Sequence, residues 1–212
     1  GIMGDWDNPY LTMDFKTEAD IVRTLGKVQE AGYLYRGEKP VQFCLDCGSS
    51  LAEAEVEYQD KMSSAIDVAY LFKDTPKGKL VLAKDLAEEA LKRYGFENTT
   101  VLAETSGANL ENLHLNHPFL ERDIPMLNGE HVTTEAGTGL VHTAPAHGLD
   151  DYFVCIKYGI ELDNPVNDEG RYRADVPRLA GLTVWEANSL IIEWLQEEDK
   201  LLSNGKLEHS YA

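Results

Sequence analysis

Apolar residues recur at helical spacing in four parts of the chain. The first predicted helix begins near the N-cap candidates Asp14 and Thr17 and ends at Gly32. A second helix is predicted over 85–94, a third over 147–159 and a fourth over 184–202. The apolar positions of the first helix are Ile21, Val22, Leu25 and Val28, and those of the fourth are Leu190, Ile191, Trp194 and Leu195. Each helix therefore has an apolar face that needs a packing partner.

Strands are predicted between these helices. Residues 52–58 alternate apolar and acidic residues with a period of two, so Glu53, Glu55 and Glu57 are expected on a solvated strand face. Asn128-Gly129 favours positive φ at both positions and predicts a hairpin turn. The strands of that hairpin are 124–127 and 131–134, and the other predicted strands are 66–72, 80–83 and 140–143. Helices and strands together predict an α+β fold.

The length and composition are those of a folded chain. Its 212 residues suffice for one large or two small domains, and 43% hydrophobic with 26% charged residues excludes intrinsic disorder. No apolar run approaches the roughly 20 residues that cross a bilayer. The first ten residues lack the basic start and apolar run of a signal peptide. We therefore expect a cytoplasmic protein with no membrane partner.

The chain is strongly acidic. It carries 37 acidic and 19 basic residues, for a net charge of -18. Such a surface repels polyanions on average, which argues against a free-standing nucleic-acid binder. A domain inside a larger enzyme is a different case, because basic surfaces elsewhere in the polypeptide can deliver the nucleic acid.

The densest group of chemically useful residues lies in GTGLVHTAPAHGLDDY, residues 137–152. Its glycines allow close backbone approach to a ligand, and two acids stand where a helix begins. A purely structural interpretation is equally open, in which the glycines form a turn and the acids cap the helix. A metal site is a further alternative, because imidazole and carboxylate are suitable ligands. Its ligands would be His142, His147, Asp150 and Asp151.

The three cysteines have different predicted roles. Cys44 and Cys47 form a CxxC pair, which is half of a four-ligand zinc site and would need partners outside this chain. Cys155 lies among apolar residues of a predicted helix and is expected in the core. Three cysteines are too few for a secreted disulfide framework.

Several long strings resemble the connective-peptide editing domain of bacterial isoleucyl-tRNA synthetases. They are DWDNPYLTMDF, the CxxC followed by AEAEVEY, HPFLERDIPMLNGEHVTTEAGTGLVHTAPAHGLDDY and the closing HSY. The resemblance runs along the whole chain. It implies that 1–212 is a single editing domain with a β-barrel-like core and peripheral helices. Residues 1–60 would be a helix plus the CxxC hairpin at its base.

The resemblance also implies an aminoacyl-tRNA deacylase that hydrolyses valine from mischarged tRNA(Ile). Isoleucine differs from valine by one methylene, the known case in which a pocket discriminates only ~10- to 200-fold and a second, hydrolytic site is needed. By position, Asp151 would hold the α-ammonium group and His142 would line the side-chain pocket. Thr143, Gly137, Thr138 and Gly139 would form its walls, and Asp150 would be a cap. A positioned water would attack the ester without any cofactor. The expected partners are the mischarged tRNA(Ile) and the remainder of the parent synthetase, and ATP would serve only that remainder.

One expected part of the family's pocket is missing. A threonine-rich segment close to WTTTPWTLP should fall near 73–79, where this chain has only KDTPKGK. The loss of preorganised donors of that kind costs ~100- to 1,000-fold in rate. Two alternatives to a working editing site therefore stay open. One is a catalytically silent structural or tRNA-docking module, and the other is a metal-dependent hydrolase.

Overall fold

The structure is a computed structural model that describes residues 1, 3–73 and 78–211. The chain divides into two compact units, Gly1–Glu38 and Lys39–Ala212. The sequence predicts one domain over 1–212, and that interpretation stays a prediction. Residues 74–77, within the stretch where the threonine-rich segment is expected, lie outside the described residues.

The first unit contains one helix, α1 (Phe15–Glu30), which follows Asp14 as predicted. The helix ends where Gly32 adopts φ 79°, a left-handed conformation that suits glycine. On the polar side of α1, Asp20 forms ion pairs with Lys16 at 2.9 Å and with Arg23 at 2.7 Å. No residue of α1 is buried, so within its own unit the apolar face of this helix stays exposed.

The second unit opens with the predicted CxxC hairpin, formed by β1 (Phe43–Cys44) and β2 (Ser49–Ser50). The strand predicted over 52–58 is wrong, because Glu53–Glu55 form a 3-10 turn. The Glu55 side chain accepts a hydrogen bond from the Ala52 backbone N–H at 2.8 Å, and this local bond stabilises the turn.

The longest paired element is a two-stranded antiparallel ribbon of β3 (Gln59–Val68) and β7 (Leu201–Tyr211). The register shifts between Asp67 and Val68, just before β3 ends. Residues 69 and 70 belong to no strand, and β4 (Leu71–Phe72) pairs in another sheet, so the strand predicted over 66–72 is divided in two. The sequence analysis missed β7, because it extended the last helix to residue 202.

A three-stranded antiparallel sheet joins β4 to β5 (His114–Asn116) and β6 (Asp123–Pro125) in that order. This pairing shows that the hairpin predicted at Asn128-Gly129 is wrong. The Asn128 side chain instead donates to Glu111 at 3.1 Å, and neither residue of the dipeptide has positive φ. No strand forms at the predicted positions 80–83, 131–134 and 140–143, all of which are described.

The helices of the second unit are α2 (Ala87–Arg93), α3 (Leu149–Lys157) and α4 (Val184–Glu197). A 3-10 turn, Lys84–Leu86, precedes α2, and another spans Gly107–Leu110. The last helix is predicted to end at residue 202, but α4 ends five residues earlier, at Glu197. The predicted end of α3 before Gly159 is confirmed. Asp199, at φ 55°, turns the chain from α4 into β7.

The core of the second unit is small and is built mainly from these helices. Its buried apolar residues are Leu86, Ala90, Cys155, Leu179, Ala187, Trp194 and Leu195. The core position predicted for Cys155 is therefore confirmed, whereas Leu190 of the predicted buried set is 41% exposed. Among the helices that the structure describes, none is both long and apolar enough to cross a membrane.

The α+β prediction agrees with this mixture of helices and small antiparallel sheets. The predicted barrel-like core is not confirmed. In the described residues the strands form separate sheets of two, two and three strands, and none of them closes on itself.

Candidate functional site

Asp151 lies in the first turn of α3, where the sequence placed it. One carboxylate oxygen, Oδ1, accepts a hydrogen bond from the Ala144 backbone N–H at 2.7 Å. The other oxygen, Oδ2, lies against Gly148, so close that a β-carbon on residue 148 would collide with it. A glycine at this position therefore lets the carboxylate fold back over the start of α3 and hold the turn that follows His142 and Thr143.

The His142 ring stacks on the Tyr70 ring, with centroids 6.2 Å apart and an angle of 21° between the planes. Desolvation by surrounding atoms lowers the pKa of His142, although the residue as a whole is exposed. The negative charge of Asp151 acts in the opposite direction and raises that pKa, while Arg122 lowers it. The opposing effect of Asp151 shows that the two predicted site residues lie close enough to interact.

The sequence analysis missed the aromatic cluster behind His142. His117 approaches Tyr70 edge-on at 6.3 Å and Phe119 at 4.6 Å. Phe119 stacks on Trp194 at 4.2 Å. Tyr70, His117 and Trp194 come from distant parts of the chain, and no spacing in the sequence connects them. The only available signal was that His117 and Phe119 belong to one of the strings on which the family resemblance rests.

This cluster is poorly hydrated. Burial lowers the pKa of His117 to about 4, and the nearby His142 and Arg122 contribute to the shift. Burial also raises the pKa of Tyr70 to about 12. At neutral pH both imidazoles and the phenol are therefore uncharged, and Asp151 provides a negative charge beside a largely apolar wall.

The Gly137–Gly139 turn is held by contacts to other parts of the chain. Thr138 accepts a backbone hydrogen bond from Ala83 at 2.9 Å, and the Gly137 carbonyl accepts one from Arg93 at 3.3 Å. Gly139 has φ 74° and packs directly against the Ala83 side chain. The Thr138 hydroxyl bonds to the backbone of Leu140. These contacts give the turn a structural role, and no hydrogen bond joins it to Asp151 among the residues described.

The structure does not support a metal centre formed by His142, His147, Asp150 and Asp151. Within the described ranges, no three or more His, Cys, Asp or Glu side chains are grouped so that they could hold a metal ion. Asp150 lies in the same first helical turn as Asp151 and is exposed. The capping role predicted for Asp150 is wrong, because the N-cap residue of α3 is Gly148 and no side-chain cap hydrogen bond forms; Asp150 only places an acid in the first turn of the helix.

Cys44 ends β1, and Cys47 lies in the turn of the hairpin that follows it. The Cys44 sulfur accepts a hydrogen bond from the Cys47 backbone N–H at 3.3 Å. This bond is the main cause that lowers the pKa of Cys44, whereas the contact with Cys44 raises the pKa of Cys47. A turn that stabilises a thiolate suits a metal ligand, and the zinc site predicted at this pair stays a prediction, since two cysteines are only half of the four ligands that structural zinc requires.

Comparison with known proteins gives matches along the chain. The sequence profile described as "tRNA synthetases class I (I, L, M and V)" matches residues 1–188. An isoleucine-tRNA ligase from Neisseria meningitidis serogroup B is 63% identical over 260 residues. Relatives with the same name from Chromobacterium violaceum and Thiobacillus denitrificans are 51% identical over 256 residues and 47% identical over 259 residues. Each alignment covers 100% of this chain but only 28% of the relative.

Proposed function

This chain belongs to the class I tRNA synthetases (I, L, M and V), and we propose that it is the editing part of an isoleucine-tRNA ligase. Its reaction would be hydrolysis of the ester that joins valine to tRNA(Ile). The chain spans 28% of the length of the curated relatives it matches, so aminoacylation would be performed by other parts of such an enzyme. The proposed location is the cytoplasm.

The position of Asp151 carries this proposal. Its carboxylate is fixed by the Ala144 N–H at 2.7 Å and lies close enough to His142 to act on the pKa of that ring. An aminoacyl ester has a positively charged α-ammonium group close to its carbonyl carbon. A carboxylate already held in position binds such a group by a charge-assisted hydrogen bond without a large loss of side-chain entropy.

The neighbouring rings complete the argument. Because the pKa of His142 is lowered, its imidazole is neutral near pH 7 and does not compete with the substrate's ammonium for Asp151. Tyr70 stacks on this ring and provides an apolar surface for a small aliphatic side chain. In this proposal His142 and Thr143 border the side-chain pocket. The extra carbon of isoleucine would cost ~1–3 kcal/mol in a close-packed pocket of this kind.

The chemistry needs water and no cofactor. Water adds to the ester carbonyl carbon, the bond from that carbon to the ribose oxygen breaks, and the ribose oxygen takes up a proton. The products are free valine and uncharged tRNA. Asp151 positions the substrate through its ammonium group, which places the carbonyl in a fixed orientation for attack.

Two further components belong to the proposal. The partners would be tRNA(Ile) carrying valine and the remainder of the synthetase, whose surfaces must supply the attraction for phosphate that a net charge of -18 cannot. Zinc would bind through Cys44 and Cys47 with two ligands outside this chain, as a structural ion away from the hydrolysis. ATP would be used only by an adenylation site in the other parts of such an enzyme.

The test is a deacylation assay with valyl-tRNA(Ile), which compares this chain with Asp151→Asn and with Asp150→Asn as a matched control. The asparagine at 151 can still accept the Ala144 hydrogen bond, so this variant removes charge and leaves the turn intact. We expect hydrolysis to fall ~10- to 100-fold in Asp151→Asn, the loss for one charged hydrogen bond, and to be unchanged in Asp150→Asn. Isoleucyl-tRNA(Ile) should be hydrolysed much more slowly.

The other outcomes separate the alternatives. No turnover by this chain would favour the silent structural or tRNA-docking module. That alternative gains support from length, because the matched stretch has 260 residues in the meningococcal relative and 212 here. Turnover that a chelator abolishes would favour the metal-dependent hydrolase, and equal turnover in Asp151→Asn would remove Asp151 from the mechanism.

A further inference from the structure

Arg93, the last residue of α2, joins two stretches of the second unit that are distant in sequence. Its Nε atom donates to the Asp67 carboxylate at 2.8 Å. Its Nη2 atom donates to the Gly137 carbonyl at 3.3 Å. These three residues form what is called here the Arg93 bridge. Because a guanidinium is a planar fork with several donors, one arginine side chain can bind both acceptors at the same time.

The bridge is partly shielded from solvent. The side chains of Arg93 and Asp67 are 32% and 22% exposed, which makes theirs the least exposed ion pair among the described residues. The guanidinium also lies over the Tyr94 ring, 5.6 Å from its centroid. Water competes less for a shielded ion pair than for an exposed one, so this arginine has fewer alternative positions than an arginine on the open surface.

The two stretches that the bridge joins meet a second time. Tyr70 lies three residues after Asp67. His142 lies five residues after Gly137. The Tyr70 and His142 rings stack with their centroids 6.2 Å apart. The ring stack and the bridge therefore join the same two stretches at two points.

The stretch that carries His142 is not part of a sheet. No hydrogen bond between backbone groups involves residues 139–143 in the part of the chain that the structure describes. Beyond His142, the next backbone anchor is the Ala144 N–H, which donates to Asp151 at 2.7 Å. Since no ladder of hydrogen bonds fixes the residues in between, the position of His142 depends strongly on how the two ends of this stretch are held.

Two contacts hold the other end of the stretch. The Thr138 carbonyl accepts from the Ala83 N–H at 2.9 Å, and the Gly137 carbonyl accepts from Arg93. The contact with Ala83 leads to the 3-10 turn that precedes α2, whereas the bridge leads through Asp67 to β3. Of the two contacts, the bridge is therefore the one that relates the glycine turn to the stretch that continues from β3 into the ring stack.

We propose that Arg93 is a positioning residue of the candidate site, which holds the stretch that carries His142 against the stretch that carries Tyr70. Arg93 acts through these two residues and is not assigned any contact with substrate. This inference rests on the proposed function, in which the Tyr70–His142 stack borders the side-chain pocket. The bridge then sets the space available to an aliphatic side chain, and with it the discrimination between valine and isoleucine.

Arg93→Lys removes the bridge and keeps its charge. A lysine can still pair with Asp67, but its single ammonium group cannot reproduce the fork that also reaches the Gly137 carbonyl. We expect the chain to fold, and we expect the stretch that carries His142 to separate from Tyr70.

Arg173→Lys is the matched control. Arg173 also joins a carboxylate to a backbone carbonyl, since it donates to Asp175 and to the Asn164 carbonyl at 2.9 Å each. Its side-chain hydrogen bonds and ion pairs among the described residues involve neither stretch of the ring stack. The control therefore loses the same kind of contact and leaves the Arg93 bridge intact.

NMR measures the ring contact and requires no turnover. In the parent chain we expect a nuclear Overhauser effect between the Tyr70 and His142 rings, assigned with the help of His142→Gln. In Arg93→Lys this effect should be lost, and the pKa of His142 should rise towards 6.5 as water reaches the ring. Arg173→Lys should match the parent chain in both respects.

The opposite result is equally clear. If Arg93→Lys folds and keeps both the Overhauser effect and the pKa of His142, the proposal is wrong. A merely structural arginine would lower the midpoint of urea unfolding and leave these two observables unchanged. If Arg93→Lys does not fold, Asp67→Asn decides by the same two observables, because it keeps an oxygen that accepts from Arg93 and removes only the charge.

The deacylation assay tests the consequence for selectivity. With valyl-tRNA(Ile) and isoleucyl-tRNA(Ile) as substrates, the ratio of their kcat/KM values should fall ~10-fold in Arg93→Lys, mainly through KM, and should be unchanged in Arg173→Lys. An unchanged ratio in Arg93→Lys would overturn the role in discrimination. No turnover by the parent chain would instead contradict the proposed function, and the NMR comparison would still decide whether Arg93 positions the two rings.

Discussion

Replacement of His117 tests how the aromatic cluster is stabilised. The Nδ1 atom of His117 accepts two backbone hydrogen bonds, from Phe119 N–H at 3.3 Å and from Leu120 N–H at 3.1 Å. Protonation of Nδ1 would remove this acceptor from both donors. The ring also lies edge-on to Phe119 and Tyr70, so a charge here is poorly solvated. The neutral imidazole is thus the form that the folded state requires.

The sign of the pH dependence follows from these contacts. Burial lowers the pKa of His117 from 6.5 in the unfolded chain to about 4 in the folded chain. Between these values the unfolded state binds more protons, so stability from this group is complete above pH 6.5 and is lost as the pH falls towards 4. One proton corresponds at most to about 1.4 kcal/mol per pH unit, and the partial exposure of the ring makes the real slope smaller.

Two variants separate titration from hydrogen bonding. His117→Asn retains an oxygen that can accept from the two N–H groups but does not titrate. His117→Leu removes the acceptor and leaves two backbone donors unpaired, which costs about 1–3 kcal/mol. At pH 7 we therefore expect His117→Leu to be the less stable variant, and we expect both variants to show a smaller loss of stability between pH 6.5 and 4.5 than the parent chain.

Urea unfolding followed by tryptophan fluorescence is the measurement. Trp194 stacks on Phe119 at 4.2 Å and reports on this cluster, whereas Trp6 and Trp185 are exposed and are replaced by phenylalanine in all chains compared. His142 and His117 interact electrostatically, so replacing His117 also changes the titration of His142, and the comparison measures the two effects together. The reasoning is refuted if His117→Asn retains the pH slope of the parent, or if His117→Leu matches the parent in stability at pH 7.

Three other predictions test single contacts. Thr183→Ala should destabilise the chain by about 1 kcal/mol in urea unfolding, because Thr183 caps α4 by accepting from Glu186 N–H at 3.2 Å, while Ser189→Ala in the same helix should have little effect. Gly148→Ala should displace the Asp151 carboxylate and cost about 1–3 kcal/mol of stability. The control is Gly26→Ala in α1, which has open space around it and should stabilise the chain by up to ~1 kcal/mol. Equal effects of the two substitutions would contradict the contact between Gly148 and Asp151. Iodoacetamide near pH 8 should alkylate Cys44 before Cys47, because the Cys47 N–H lowers the pKa of Cys44, and peptide mass spectrometry that finds Cys47 modified first would exclude this order.

The helices could be predicted because their signals are local. Gly32 and Gly159 end α1 and α3 with positive φ, as their positions in the pattern indicate. Strands depend on partners that are distant in sequence, and here prediction failed. Within the acidic alternation at 52–58, Glu53–Glu55 form a 3-10 turn. The first two residues of β7, Leu201 and Leu202, continue the apolar pattern of α4, so the sequence extends that helix to residue 202.

The candidate site could also be predicted only in part from the sequence. Asp151 and His142 belong to one continuous string, so the resemblance could identify them together. Tyr70 and His117 reach the same cluster through different strands and turns, and their importance depends on burial that no spacing reveals. The barrel-like core is not confirmed for a related reason, since the stretches 80–83 and 140–143 have the composition of strands but form no strand among the described residues.

The acidity of this chain is compatible with a tRNA substrate because the two electrostatic effects act over different distances. Repulsion between a net charge of -18 and phosphate is screened beyond about 8 Å at physiological ionic strength. The attraction between Asp151 and an α-ammonium group acts at contact, beside uncharged rings that weaken it little. Under the proposed function, only the aminoacyl end of a tRNA would need to enter the site, while the rest of its backbone would stay on other surfaces. A free amino acid would be repelled less than this end, so the proposed selectivity for an ester would have to come from the position of the carbonyl and not from charge.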